Sequence, residues 1–204
     1  MTEKKILISV GRQFGSGGRQ VADILGEKLE LKVYDNELII RAAEESGFSR
    51  ELLARSDERR RIFSISNFLA TGRFGVPENF LGDNGMFLIQ SQVIQNIARR
   101  DSAIFIGRCS DYILRDTNCL SVFISAPLEH RVARVAVRMN ISEEEALRLI
   151  EKKDRGRETY YNYFTFRNWG RADNYHLCLD SSVLGIQGTA DAIIRFLEAR
   201  DKIQ

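Results

Sequence analysis

Apolar and polar positions along the chain separate cleanly into two periods. Ile6, Leu7, Ile8 and Val10 form a short apolar run that breaks at a turn holding Gly11, Gly15, Gly17 and Gly18. Beyond it Val21, Ile24, Leu25 and Leu29 recur at the spacing of one helix face. Further apolar runs at 31–34, 103–106, 120–124 and 176–180 have the length and bounding residues of strands. Between them the helical period predicts helices at 37–45, 49–61, 86–100, 127–139 and 188–200, with Asn36 as an N-cap for the first. Ser142 and Glu145 have capping-box spacing, which starts a further helix running toward Tyr160. Near-continuous apolar strands alternating with helices predict an α/β fold, a parallel sheet of about five strands covered on both faces.

One stretch resists this pattern. Residues 63–84 hold Gly72, Gly75, Gly82, Pro77 and the aromatics Phe63, Phe68, Phe74 and Phe80. Irregular segments of that length are either lids or partner surfaces, and both alternatives stay open.

The alternation also says where to look for chemistry. In an open parallel sheet ligands gather beyond the carboxyl ends of the strands. Those ends here are 11–18, Asp35-Asn36, Gly107-Arg108, Ser125-Ala126 and Asp180. Strand, glycine turn, helix is the layout whose backbone N–H groups point into one concavity at a helix N-terminus, which suits a phosphate. Gly11, Arg12, Gly15, Ser16, Gly17, Gly18, Arg19 and Gln20 are the candidate phosphate-binding residues. The P-loop pattern G-x-x-x-x-G-K-[ST] is broken, because Gly18 stands at the lysine position. A ligand-free glycine turn is the alternative, and Arg19 or Arg12 the nearest available cation.

Composition narrows the function. With 204 residues and 44% hydrophobic content the chain can bury one sizeable core, and no internal repeat or linker divides it. Thirty Lys+Arg against 28 Asp+Glu, a net charge of +2, argue against a nucleic-acid-coating protein. Cys109, Cys119 and Cys178 form no C-x-x-C pair, so neither a zinc site nor a disulfide framework is expected, and no protein-only metal site. No leader pattern or membrane-length apolar run is present, giving a reduced, soluble, cytoplasmic protein with no membrane partner.

Phosphoryl transfer needs a donor cradle, an acceptor clamp and cations that close over the transferring group, and arginine's planar fork suits the last two. Arg41 and Arg108 are candidates for the clamp, Arg41 having a solvated helix residue as its plain alternative. Arg131, Arg134 and Arg138, which share one helix face, and Arg155 and Arg157 after them are candidates for the closing cations, with a solvated basic face the favoured alternative for Arg134 and Arg138. Gly156, within the run Asp154-Arg155-Gly156-Arg157, suggests a bend. The aromatic run 160–166 with Trp169 either stacks a base or fills a core, and burial tendency favours the core.

Together the segments ISVGRQFGSGGRQVA, VYDNELI, FIGRCSDYIL, VFISAPLEHRVARV and IEKKDRGRETYYNYF resemble bacterial cytidylate kinases, and more closely the cytidylate kinase-like family. The resemblance implies a P-loop kinase-type core spanning 1–204, with an acceptor-binding lobe within 36–100 and a lid within 131–165. It implies transfer of the γ-phosphate of ATP to CMP or dCMP with Mg2+, and leaves a homo-oligomer open. By position Asp35, Asn36, Arg41 and Arg108 look like acceptor-binding residues, with Asn36 in place of serine and Cys109 in place of aspartate. Arg19, Arg131, Arg155 and Arg157 look like the catalytic cations. The missing lysine keeps open a nucleotide-binding module without turnover, or a kinase of another small acceptor.

Overall fold

The computed structural model describes residues 5–45 and 80–203. The helix expected at 49–61 and most of the irregular segment 63–84 lie outside them. The order is β1 (Leu7–Arg12), α1 (Gly18–Leu29), β2 (Lys32–Tyr34), α2 (Asn36–Glu45), α3 (Phe80–Arg100) and β3 (Ala103–Ile106). It continues α4 (Ser110–Ile113), β4 (Cys119–Ser125), α5 (Leu128–Met139), α6 (Glu143–Thr165), β5 (Leu177–Asp180) and α7 (Ser181–Ile203).

The strands form one 5-stranded sheet in the order β2-β3-β1-β4-β5, and every neighbouring pair is parallel. This is the α/β architecture of P-loop kinases. Strand alternation explains the two layers. Ile8 and Val10, Ile104 and Ile106, and Leu120, Val122 and Ile124 point to one face, where Val21 and Leu25 of α1 and Ile193 and Leu197 of α7 meet them. Leu7, Ala103, Phe105 and Cys119 point to the other, against Ile39, Val93, Ile94 and Tyr161 from α2, α3 and α6. Helices α5 and α6 close a third cluster, Val135, Ala146 and Ile150, with Phe14 of the glycine turn packed on it.

Local chemistry sets the helix ends. Ser142 Oγ accepts from the Glu145 amide at 3.2 Å while Glu145 Oε2 accepts from the Ser142 amide at 2.9 Å, the expected capping box. At α2 the cap is Asp35, not Asn36: Asp35 Oδ1 accepts from the Leu38 amide at 3.0 Å, and Asn36 is the first helical residue. Aspartate caps better here because its charge meets the positive helix end. The bend expected at Gly156 is absent, and α6 runs unbroken from Glu143 to Thr165. A mid-helix glycine costs only about 1 kcal/mol, and packing at Ile150 on one side and Tyr161 on the other holds the helix straight through it. Helix α3 begins at Phe80, so the last residues of the irregular segment are helical. Among the described residues no helix is long and apolar enough to cross a membrane.

Candidate active site

A cleft of about 350 Å³ opens at the carboxyl ends of β1, β2 and β3. Gly11, Arg12, Arg19, Asp35, Asn36, Gly107, Arg108 and Arg157 line it, as do Lys153, Asp111 and the rings of Tyr160, Tyr161, Trp169 and Tyr175.

The glycine turn borders the cleft through Gly11, Arg12, Phe14 and Arg19. Gly15 and Gly17 adopt φ of 81° and 80°, and a Cβ on Gly17 would run into Ile186. Ser16 is buried, its hydroxyl donating to Gln13 O at 2.9 Å, and Gly18 starts α1. The amides of Gly15, Gly17 and Arg19 have no acceptor among the described residues. Unpaired donors at a helix N-terminus make the anion cradle expected of this turn.

Behind the turn, side chains of α5 and α6 grip its backbone. Asp154 Oδ1 accepts from the Phe14 amide at 2.7 Å and Oδ2 pairs with Arg131 at 2.6 Å. Arg134 donates to Gly15 O at 2.8 Å, and Arg157 to Arg12 O at 3.1 Å. Arg131 is buried, and its Nε has no hydrogen-bond partner among the described residues.

In front, cations predominate. Arg12, Arg19, Arg108, Lys153 and Arg157 face the carboxylates Asp35, Glu37 and Asp111. Arg19 is tethered, donating to Asp23 at 3.0 Å and Asp35 at 2.6 Å with its side chain 55% exposed. Desolvation lowers the Arg12 pKa well below the usual arginine range, and repulsion from Arg157, Arg108 and Arg19 adds to it, with Asp35 opposing. Arg108 sits in the left-handed region at φ 56° and lies over the Tyr160 ring.

The acceptor side is built on hydrogen bonds. Gln90 donates to Asn36 Oδ1 and accepts from Tyr160 Oη, both at 3.1 Å, so a buried amide orients Asn36. Tyr161 Oη donates to Asp111 at 2.7 Å, yet burial still pushes the Asp111 carboxyl above its usual pKa. Burial also raises the Cys109 thiol, which stays protonated and inert at neutral pH.

The structure thus gathers Gly11, Arg12, Arg19, Asp35, Asn36, Arg108 and Arg157 at one cleft. Gly15, Ser16, Gly17 and Gly18 lie outside its lining, as do the exposed Arg41, Arg155 and Gln20, and Arg131 is behind the turn. Lys153, Asp111, Tyr160, Tyr161, Trp169 and Tyr175 join the cleft without having been singled out as site residues. Lys153 had a signal, since it directly precedes the charged run Asp154-Arg155-Gly156-Arg157. The aromatic run divides: Tyr161 is buried, whereas Phe166 is 93% exposed.

Among the described residues no group of three or more His, Cys, Asp or Glu could hold a metal ion. Magnesium needs few protein ligands, because it keeps waters and binds phosphate oxygens. The cleft carboxylates suit an ion carried in on nucleotide phosphates and do not suit a resident one.

Comparison with known proteins shows the family. The cytidylate kinase of Sulfolobus acidocaldarius is 33% identical over 153 residues, covering 74% of this chain and 71% of that protein. An uncharacterized protein from Eubacterium ventriosum superimposes with TM-score 0.74 and 25% identity, over 95% of this chain and 99% of that one. Shikimate kinase from Acinetobacter baumannii, solved with shikimate, shares the fold alone, with TM-score 0.51 and 14% identity over 97% and 96% of the two chains. Residues 7–183 match the cytidylate kinase-like family as a whole. With its glycine turn, parallel sheet and arginine-lined cleft inside that span, the chain belongs to the cytidylate kinase-like family, phosphotransferases of the P-loop nucleoside monophosphate kinase group.

Proposed function

We propose that the protein transfers the γ-phosphate of ATP to a nucleoside monophosphate, CMP or dCMP. The observation that carries this is the meeting of Arg12 from β1, Arg19 from α1, Arg108 from the β3 exit and Arg157 from α6 at one cleft, opposite Asp35 and Asn36. A cleft with this excess of cations fits two phosphorylated ligands brought end to end.

In this mechanism the unpaired amides of Gly15, Gly17 and Arg19 hold the β-phosphate of ATP. Arg108 holds the acceptor phosphate, and Asn36 presents its amide to the base. An oxygen of the acceptor phosphate attacks the γ-phosphorus, the bond to the β–γ bridging oxygen breaks, and ADP leaves. Arg12 and Arg157 offset the charge that develops, the main task of a protein in this chemistry. Magnesium on the nucleotide would neutralise further charge on the β- and γ-oxygens. The segment 131–165 serves as the lid and 36–100 as the acceptor lobe.

The test is acceptor-dependent ADP release measured with CMP, dCMP, UMP, AMP and shikimate. Turnover fastest with CMP or dCMP is expected, and turnover with none of the nucleotides would defeat the assignment. The glycine at the lysine position supports a second reading, a nucleotide-binding module without turnover. Calorimetric ATP binding alongside inert kinetics would favour it.

A further inference from the structure

We propose that Arg12 supplies the cation of the phosphate loop, a glycine and a basic residue having changed places across one van der Waals contact. The inference rests on the kinase function proposed above. The P-loop pattern puts a glycine six residues ahead of its lysine. Aligned on Gly17 and Gly18, this chain has the reverse, with Arg12 at the glycine position and Gly18 at the lysine position.

The two positions touch. A Cβ on Gly18 would lie 2.5 Å from Arg12 Cβ and 3.1 Å from its Cγ. Only one of the two can carry a side chain. Whichever does so starts from nearly the same point in space, at the end of β1 and the first turn of α1.

Three observations give the cation to Arg12 in preference to Arg19. The Arg12 guanidinium crosses into the space left by Gly107, where a Cβ would collide with its Nη1, so it lies in the cleft floor between the loop and the acceptor residues. It has no ion pair among the described residues, while Arg19 is held by Asp23 and Asp35. Arg157, Arg108 and Arg19 all repel it, which adds to the burial that chiefly lowers its pKa. Arginine does not deprotonate in proteins, so a polyphosphate is what relieves the cluster. In the reaction its N–H groups donate to the oxygens that gain charge as the β–γ bond breaks.

The experiment measures ATP affinity by calorimetry and CMP-dependent ADP release for Arg12→Met, Arg12→Gly, Gly18→Lys and the double variant Arg12→Gly/Gly18→Lys. Arg12→Met keeps the packing stem and loses the charge, so it separates chemistry from folding. Arg12→Met and Arg12→Gly are each expected to lose about a hundredfold in kcat, the scale of one transition-state donor, and to bind ATP more weakly. The double variant should recover at least about tenfold over Arg12→Gly, a barrier change of roughly 1.4 kcal/mol. Gly18→Lys alone should lower Tm, because its stem meets Arg12. Wild-type ATP affinity and turnover in Arg12→Met, a folded double variant no better than Arg12→Gly, or an unchanged Tm in Gly18→Lys would each overturn the exchange. Should the wild type bind ATP yet phosphorylate no nucleotide, the kinase proposal fails, while the ATP affinities of the Arg12 variants still decide this one.

Discussion

The two sides of the glycine turn use the same residue type for opposite ends. Behind the turn Arg131 pairs with Asp154 and Arg134 with the Gly15 carbonyl. In front, Arg12 and Arg108 have no carboxylate partner among the described residues and face the cleft. A paired buried arginine holds the loop in shape. An arginine that lines a cleft without a carboxylate partner keeps its hydrogen-bonding capacity for a ligand. Counting arginines does not separate the two roles, but asking what each one touches does.

That contrast can be broken by experiment. The largest effect is expected from Asp154→Ala, which strips Arg131 of its counter-ion and the Phe14 amide of its acceptor. Removing one partner of a largely buried pair costs about 3 kcal/mol. A urea titration should show that loss, and an unchanged midpoint would erase the distinction between the sides. Arg108→Ala should change stability by no more than about 0.5 kcal/mol. It should instead raise the acceptor KM by roughly tenfold to a hundredfold, as for one lost bond to a charged group. Equal loss of stability would place Arg108 with the structural set.

The smallest effect concerns Asp35, a carboxylate of the cleft side. Burial works to raise its carboxyl pKa, but the Leu38 amide and Arg19 prevail and hold it below the usual value. A carboxylate whose folded pKa is depressed stabilises the protein at pH values above its unfolded pKa. That contribution disappears as pH falls through the folded pKa. Asp35→Asn should therefore be less stable than the wild type at pH 7, and the gap should close in acid. A gap that widened on acidification would contradict the pairing.

Much of this was legible from sequence patterns. Near-continuous apolar strands between helices foretold the parallel sheet, and Gly107-Arg108 at a strand end does line the cleft. The spacing of Arg131, Arg134 and Arg138 correctly put them on one face. Periodicity could not say what that face meets. The partner of Arg131 is Asp154, a helix away, and Arg138 lies over the Phe14 ring. Arg41 shows the same limit, since its spacing along α2 is clear but its exposed side chain lies outside the cleft lining. Tyr175 and Trp169 reach the cleft while packing around Phe123, a contact between distant segments that no local pattern announces.

The glycine turn is held from a great distance along the chain. Ser181 Oγ donates to Ser16 O at 2.5 Å, and Ile186 packs where Gly17 has no side chain. During synthesis the turn leaves the ribosome first, and the Ser181 anchor follows 165 residues later. A nascent or truncated chain lacking these anchors carries the entire turn motif without the contacts that shape it. Capture of nucleotide should therefore begin only once the last helix has docked.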